Sequence, residues 1–148
     1  MSVCNASTAV ATVWLTAIAV PVSAQTFDQQ IAQCINQRQQ FAESIAGCTA
    51  LLQSGRLDSQ GLSIAYSNRG VAFANQGDID RAISDFNEAI RLSPQDAVSY
   101  YNRGNAYRDQ DDPARAIADY SEAIRLNPQY ANAYYNRGLA HERLGDLA

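Results

Sequence analysis

The feature that most limits what this chain can fold into is a repeat. Ser67-Asn68-Arg69-Gly70, Tyr101-Asn102-Arg103-Gly104 and Tyr135-Asn136-Arg137-Gly138 recur, their glycines separated by 34 residues each time. The rest of the unit repeats with them. Ala82-Ile83-Ser84-Asp85-Phe86 answers Ala116-Ile117-Ala118-Asp119-Tyr120, and Glu88-Ala89-Ile90-Arg91-Leu92-Ser93-Pro94 answers Glu122-Ala123-Ile124-Arg125-Leu126-Asn127-Pro128. Self-similarity at such a period means that one supersecondary unit is stacked on copies of itself, since a lone unit cannot bury its apolar face.

Each unit reads as two helices. The first is expected over about 63–75, with Ala65, Tyr66, Gly70 and Phe73 at helical spacing. Gly77-Asp78 then supplies a turn glycine and a helix cap, and Asp112 stands before Pro113, a residue favoured in a first helical turn. The second helix carries Ile79, Ala82, Ile83, Phe86, Ala89 and Ile90 inward and stops at Ser93-Pro94, because proline disfavours helix at the residue before it. The fold class is therefore all-α: an α-solenoid of stacked antiparallel helix-turn-helix hairpins.

The pattern resembles the tetratricopeptide repeat. Gly70/Gly104/Gly138, Phe73/Tyr107, Ala82/Ala116, Phe86/Tyr120, Ala89/Ala123 and Pro94/Pro128 fall where that family has its signature residues. The resemblance covers two full repeats, 63–96 and 97–130, and a partial repeat or capping helix, 131–148. Two departures stand out. His141 occupies a position where an aromatic is usual, and Arg69, Arg103 and Arg137 occupy one where leucine is more common. These arginines are expected to pair with acids of adjacent helices, such as Asp85 or Asp119. The last hairpin lacks its second helix, which leaves two readings: a capping helix, or a shortened piece of a longer repeat protein.

Upstream, 44–52 aligns with 116–124, so residues 25–62 are read as a degenerate hairpin and linker, with helices over about 27–40 and 43–53. Cys34 and Cys48 would face each other across it. A disulfide closing a loop of about 15 residues would restrict the unfolded chain by roughly 3 kcal/mol. The alternative is two small buried hydrophobes. His141 is the sole histidine, and no metal or cofactor is expected. Residues 1–24 hold no Asp, Glu, Lys or Arg and are nearly all apolar from Ala9 to Val20, ending at Val22-Ser23-Ala24. That is a signal-peptide pattern, with cleavage expected after Ala24, a periplasmic or secreted location and no stable membrane span once it is removed. An uncleaved apolar tail or anchor is the other reading.

The chain has 148 residues, of which 47% are hydrophobic and 18% charged, enough apolar surface to oppose disorder. A net charge of −4, with eleven scattered arginines as the only basic residues, argues against a nucleic-acid partner. The lone histidine, the lack of a nucleophile-base pair and glycines set inside helices argue against catalysis. The resemblance implies a non-catalytic protein-protein interaction module, an adaptor or scaffold that binds an extended segment of a protein or peptide partner in a concave groove. Self-association as a structural spacer is the rival reading. The family's clamp for acidic chaperone tails needs lysines, and none is present. The expected groove residues are Asn68, Asn102 and Asn136, whose carboxamides match a peptide group as both donor and acceptor, as asparagines at that repeat position do in a cytosolic sugar transferase bearing such an array. The other reading of these asparagines is a bond to a neighbouring helix. Tyr101, Tyr135, Asn105, Arg108, Asp109 and Leu139 are expected beside them.

Overall fold

The computed structural model describes residues 25–35 and 41–145; the expected signal segment and cleavage site lie outside the described residues, as does 36–40 of the expected first helix. Among the described residues seven helices follow in order: α1 (Phe27–Ile35), α2 (Phe41–Gln53), α3 (Ser59–Asn75), α4 (Ile79–Leu92), α5 (Ala97–Asp109), α6 (Pro113–Leu126) and α7 (Ala131–Leu144). Among the described residues there is no strand, and no helix is long and apolar enough to cross a membrane.

Local chemistry sets these boundaries. Helix α3 starts four residues earlier than the expected 63, because the Asp58 side chain accepts from Gly61 N at 2.7 Å and so satisfies a free amide of the first turn. Asp78, Asp96 and Asp112 cap α4, α5 and α6 in the same way. The turn that follows the first helix of each repeat takes a left-handed residue. Gly77 supplies it at φ 84°, Gly145 at φ 81°, and Asp111 takes the equivalent place at φ 61°, a conformation that aspartate tolerates better than most side chains.

Helices pair as α1/α2, α3/α4 and α5/α6, and α7 packs on α6 and α5. The first helices of successive units also touch one another, α1 on α3, α3 on α5 and α5 on α7, whereas successive second helices stand farther apart. That asymmetry curves the array, with α3, α5 and α7 on its inner side. Each apolar cluster borrows a residue from the next unit: Ala65 joins Cys34, Cys48 and Leu51; Ala106 joins Phe73, Ala82 and Phe86; Ala140 joins Ala116 and Tyr120. Stability thus passes from neighbour to neighbour along the chain.

Two contacts recur inside the repeats. A Cβ on Gly70 would lie 2.7 Å from the Phe86 ring, and one on Gly104 would lie 2.8 Å from the Tyr120 ring, so the ring of each second helix fits only against a glycine. One residue earlier, Arg69 grips Asp85 through Nε and Nη2 at 2.7 and 2.8 Å, and Arg103 grips Asp119 at 2.8 and 2.7 Å. Their third nitrogens donate to Thr49 and Asn87 of the preceding second helix, at 3.1 and 2.7 Å. Each arginine therefore ties three helices together, which explains a charge at a position where the family prefers leucine. The fork geometry suits arginine and not lysine. Arg137 repeats only half of this: it donates to Ser121 Oγ at 3.2 Å, and no carboxylate pairs with it among the described residues.

In the first hairpin the structure joins Cys34 to Cys48 as a disulfide, with Cα atoms 4.5 Å apart. Gly47 allows that approach, since a Cβ there would meet Gln33 Cβ at 2.7 Å.

Candidate interaction groove

The inner side carries clefts where the first helices meet. Asn102, Asn105, Arg108 and Asp109 of α5 come together with Val71, Ala74 and Asn75 of α3 around a cleft of about 200 Å3. Its floor is Phe86 and Ala106. The Arg108 guanidinium lies against the Asp109 carboxylate at 2.9 Å, so the two charges balance at the rim. A second cleft of about 150 Å3 between α5 and α7 is lined by Arg108, Pro113, Leu139, Ala140 and Arg143. Arg108 belongs to both.

The three repeat asparagines differ in what holds them. Asn136 is buried, and its Nδ2 donates to Tyr101 Oη at 3.1 Å and to Asn105 Oδ1 at 2.9 Å. Tyr120 Oη donates to the same Asn105 oxygen at 2.8 Å. This network joins α5, α6 and α7, so Asn136, Asn105 and Tyr101 hold the stack, and of the three Asn105 also lines the cleft. Tyr101 also packs its ring on Tyr130 and Tyr120, with centroids 4.8 and 5.9 Å away. Burial pushes the Tyr120 phenol up to about 12 and raises Tyr130 as well.

Asn68 and Asn102 are half-buried, and neither side chain makes a hydrogen bond to another described residue. Both carboxamides are therefore open to an external donor and acceptor. The two do not share a cleft. Asn68 borders an apolar one of about 180 Å3 formed with Ile31, Ile35, Leu57, Ile64 and others. Tyr135 is 69% exposed on α7.

Sequence reasoning missed Val71, Ala74 and Asn75. The register contained the signal, since Val71 is the counterpart of Asn105 and Leu139, and Asn75 that of Asp109. The repeat register therefore extends the groove lining from α5 and α7 to the matching face of α3.

A curved stack of helical hairpins with an inner groove of amides and a balanced charge pair is an α-solenoid of the kind that binds protein segments. The TPR repeat family model matches residues 70–111 and 104–145, and the chain belongs to the tetratricopeptide repeat family. It is similar to the second TPR domain of Spaghetti (RPAP3), solved with the HSP90 peptide SRMEEVD, at 31% identity over 60% of this chain and 82% of that one, with a TM-score of 0.58. MamA is similar at 28% identity over 71% of this chain and 59% of its own, with a TM-score of 0.64. The Arabidopsis OM64 TPR domain shares the fold at 19% identity, with 78% of this chain and 94% of that one covered and a TM-score of 0.71. Among proteins of curated function, none matches the chain.

Proposed function

We propose that the chain is a non-catalytic adaptor that holds an extended segment of a partner protein along the inner faces of α3, α5 and α7. The observation that carries this reading is the half-buried, unpartnered Asn102 amide beside Asn105, Arg108 and Asp109 in one cleft. A carboxamide presents both halves of a peptide-group interaction, so such a groove favours backbone over side-chain identity. The similar RPAP3 domain holds an acidic peptide. Here the groove has no lysine, and its Arg108 is matched by Asp109, so the partner segment is expected to be mixed or neutral rather than strongly acidic.

Display selection of unstructured peptides on the full chain tests the reading. Selected peptides should bind the Asn102→Ala variant about tenfold more weakly, the loss expected when a ligand's polar groups go unmatched. Equal binding to both proteins would remove the groove from consideration. Asn102 is the residue to change because altering Asn136 or Asn105 would also loosen the stack.

Export accompanies this proposal. The apolar 1–24 segment supports passage to a periplasmic or secreted location, where a Cys34–Cys48 disulfide persists. An intact mass corresponding to a chain that begins at Gln25 and lacks two hydrogens would support it. A mass retaining residues 1–24 would sink it.

A further inference from the structure

Two neighbouring first helices display the same pair of side chains toward the groove. On α3 Ile64 precedes Asn68 by four residues, and on α5 Val98 precedes Asn102 by four, a spacing that sets both members on one helix face. Ile64 and Val98 are each 49% exposed, and both amides are half-buried without a hydrogen bond to another described residue. An exposed β-branched side chain is a poor choice for a helix, since branching at Cβ costs rotamer freedom and exposure leaves apolar surface in water. Its recurrence at equivalent sites beside an open amide points to a ligand rather than to folding. Beside Ile64 the surface is already hollowed. Together with Ile31 and Ile35 of α1 and with Leu57, it borders the apolar cleft of about 180 Å3, which Asn68 also lines and to which no charged residue contributes among the described residues. A space of about 150 Å3 holds a benzene-sized group, so one aliphatic side chain fits. On α7 the pair becomes Asn132 and the buried, hydrogen-bonded Asn136, and the pattern ends at α5.

We propose that the segment held in the groove is a polyproline II stretch with an aliphatic residue at every third position, one seated in the α1/α3 cleft against Ile64 and the next on Val98. This rests on the adaptor reading and adds to it the chemistry of the partner. Helices in contact lie about 8–10 Å apart, and α3 touches α5. A polyproline II chain advances about 9 Å in about three residues and returns to the same side, so side chains three apart meet equivalent points on successive repeats. A β-strand does not match this spacing, because its same-side residues recur at about 7 Å. Polyproline II also leaves its backbone groups without internal hydrogen bonds, which frees them for the Asn68 and Asn102 amides. The uncharged lining of the Ile64 cleft suits an uncharged anchor.

The test uses a fluorescein-labelled synthetic peptide of four Leu-Pro-Ser triplets, titrated by fluorescence anisotropy against the full chain. Two controls accompany it: a peptide of the same composition whose leucines stand two apart, and one with serine in place of every leucine. Saturable binding of the triplet peptide is expected, weakened about tenfold in Ile64→Gln and in Val98→Gln, with both controls weaker by a similar factor. Glutamine is a good helix former and both sites are exposed, so the variants should keep their thermal stability, and lost binding then reports the two seats. The proposal is overturned if no saturation is seen up to about 1 mM triplet peptide, if both variants bind as wild type does, or if the peptide with leucines two apart binds equally well. Peptides selected on the groove separate this inference from the adaptor reading. Loss of their binding in Asn102→Ala, with none in Ile64→Gln or Val98→Gln, would keep the groove and overturn the spacing, whereas indifference to all three changes would overturn both.

Discussion

The first hairpin and the two repeats after it solve one problem with different chemistry. Helix α2 aligns with α4 and α6 so that Ser44, Cys48 and Leu51 match Ala82, Phe86 and Ala89, and all six are buried. In the repeats, the central position holds a ring that sits on a glycine of the facing helix, beside an arginine-aspartate fork. In the first hairpin that position is Cys48, bonded to Cys34, and the aspartate position is Gly47, whose lack of a side chain lets α1 come close. A cysteine is too small to fill the ring's place, and the covalent bond substitutes for the lost apolar contact. The lesson concerns position in the array: the end unit has one neighbour to bury surface against, and there a crosslink replaces packing.

The strongest way to break this comparison is Phe86→Ala. The Phe86 ring is 1% exposed and fills the space above Gly70 between α3 and α4. Its removal should cost about 3–5 kcal/mol, from lost burial and the cavity left behind. Urea denaturation followed by circular dichroism measures it. A cost under about 1 kcal/mol would mean the hairpin collapses readily onto alanine, and the ring would not be what distinguishes the repeats.

The repeat made most of this legible in advance. A 34-residue period with Gly, Ala and aromatic residues in fixed places specifies two helices per unit and their inward faces, and the caps at Asp78 and Asp112 follow from side-chain chemistry that acts over three residues. The start of α3 was less readable, since 59–62 lack a strong apolar pattern and only the Asp58 cap extends the helix. In the groove, repeat register places Asn68, Asn102 and Asn136 at equivalent sites but says nothing of their partners. Those depend on the next helix along: Tyr101 and Asn105 reach Asn136, whereas their counterparts Ser67 and Val71 provide no such reach to Asn102. Equivalent positions diverge because contacts between units involve residues that the repeat does not keep constant.

Reducing the Cys34–Cys48 bond should have the next largest effect, roughly 3 kcal/mol for a loop of this length. The loss should be local. Amide hydrogen exchange in α1 and α2 should quicken on reduction, while α5 and α6 keep their protection, since a solenoid couples mainly to its nearest neighbour. Uniform loss of protection through α6 would show that the end unit governs the whole array, and the contrast between crosslinked and packed hairpins would lose its meaning.

The smallest effect separates the two repeats from each other. Phe86 and Tyr120 occupy equivalent sites, but only Tyr120 bears a hydroxyl, which donates to Asn105 Oδ1 at 2.8 Å. Burial raises its pKa from the ordinary 10.0 to about 12, so the folded chain keeps this proton at a pH where the unfolded chain releases it. Below pH 10 both states are protonated and the site's stabilisation is fully present. As pH rises from 10 through 12 the unfolded state gains by ionising, and stability falls by roughly 2 kcal/mol. Tyr120→Phe should cost about 1 kcal/mol at neutral pH through the lost hydrogen bond, and it should flatten most of that alkaline decline. Tyr130, also raised by burial, contributes to what remains. Urea midpoints for both proteins near pH 8 and pH 11 decide the matter. An unchanged decline in the variant would place its origin outside the Tyr120 network, and the second repeat would then be held in the same way as the first.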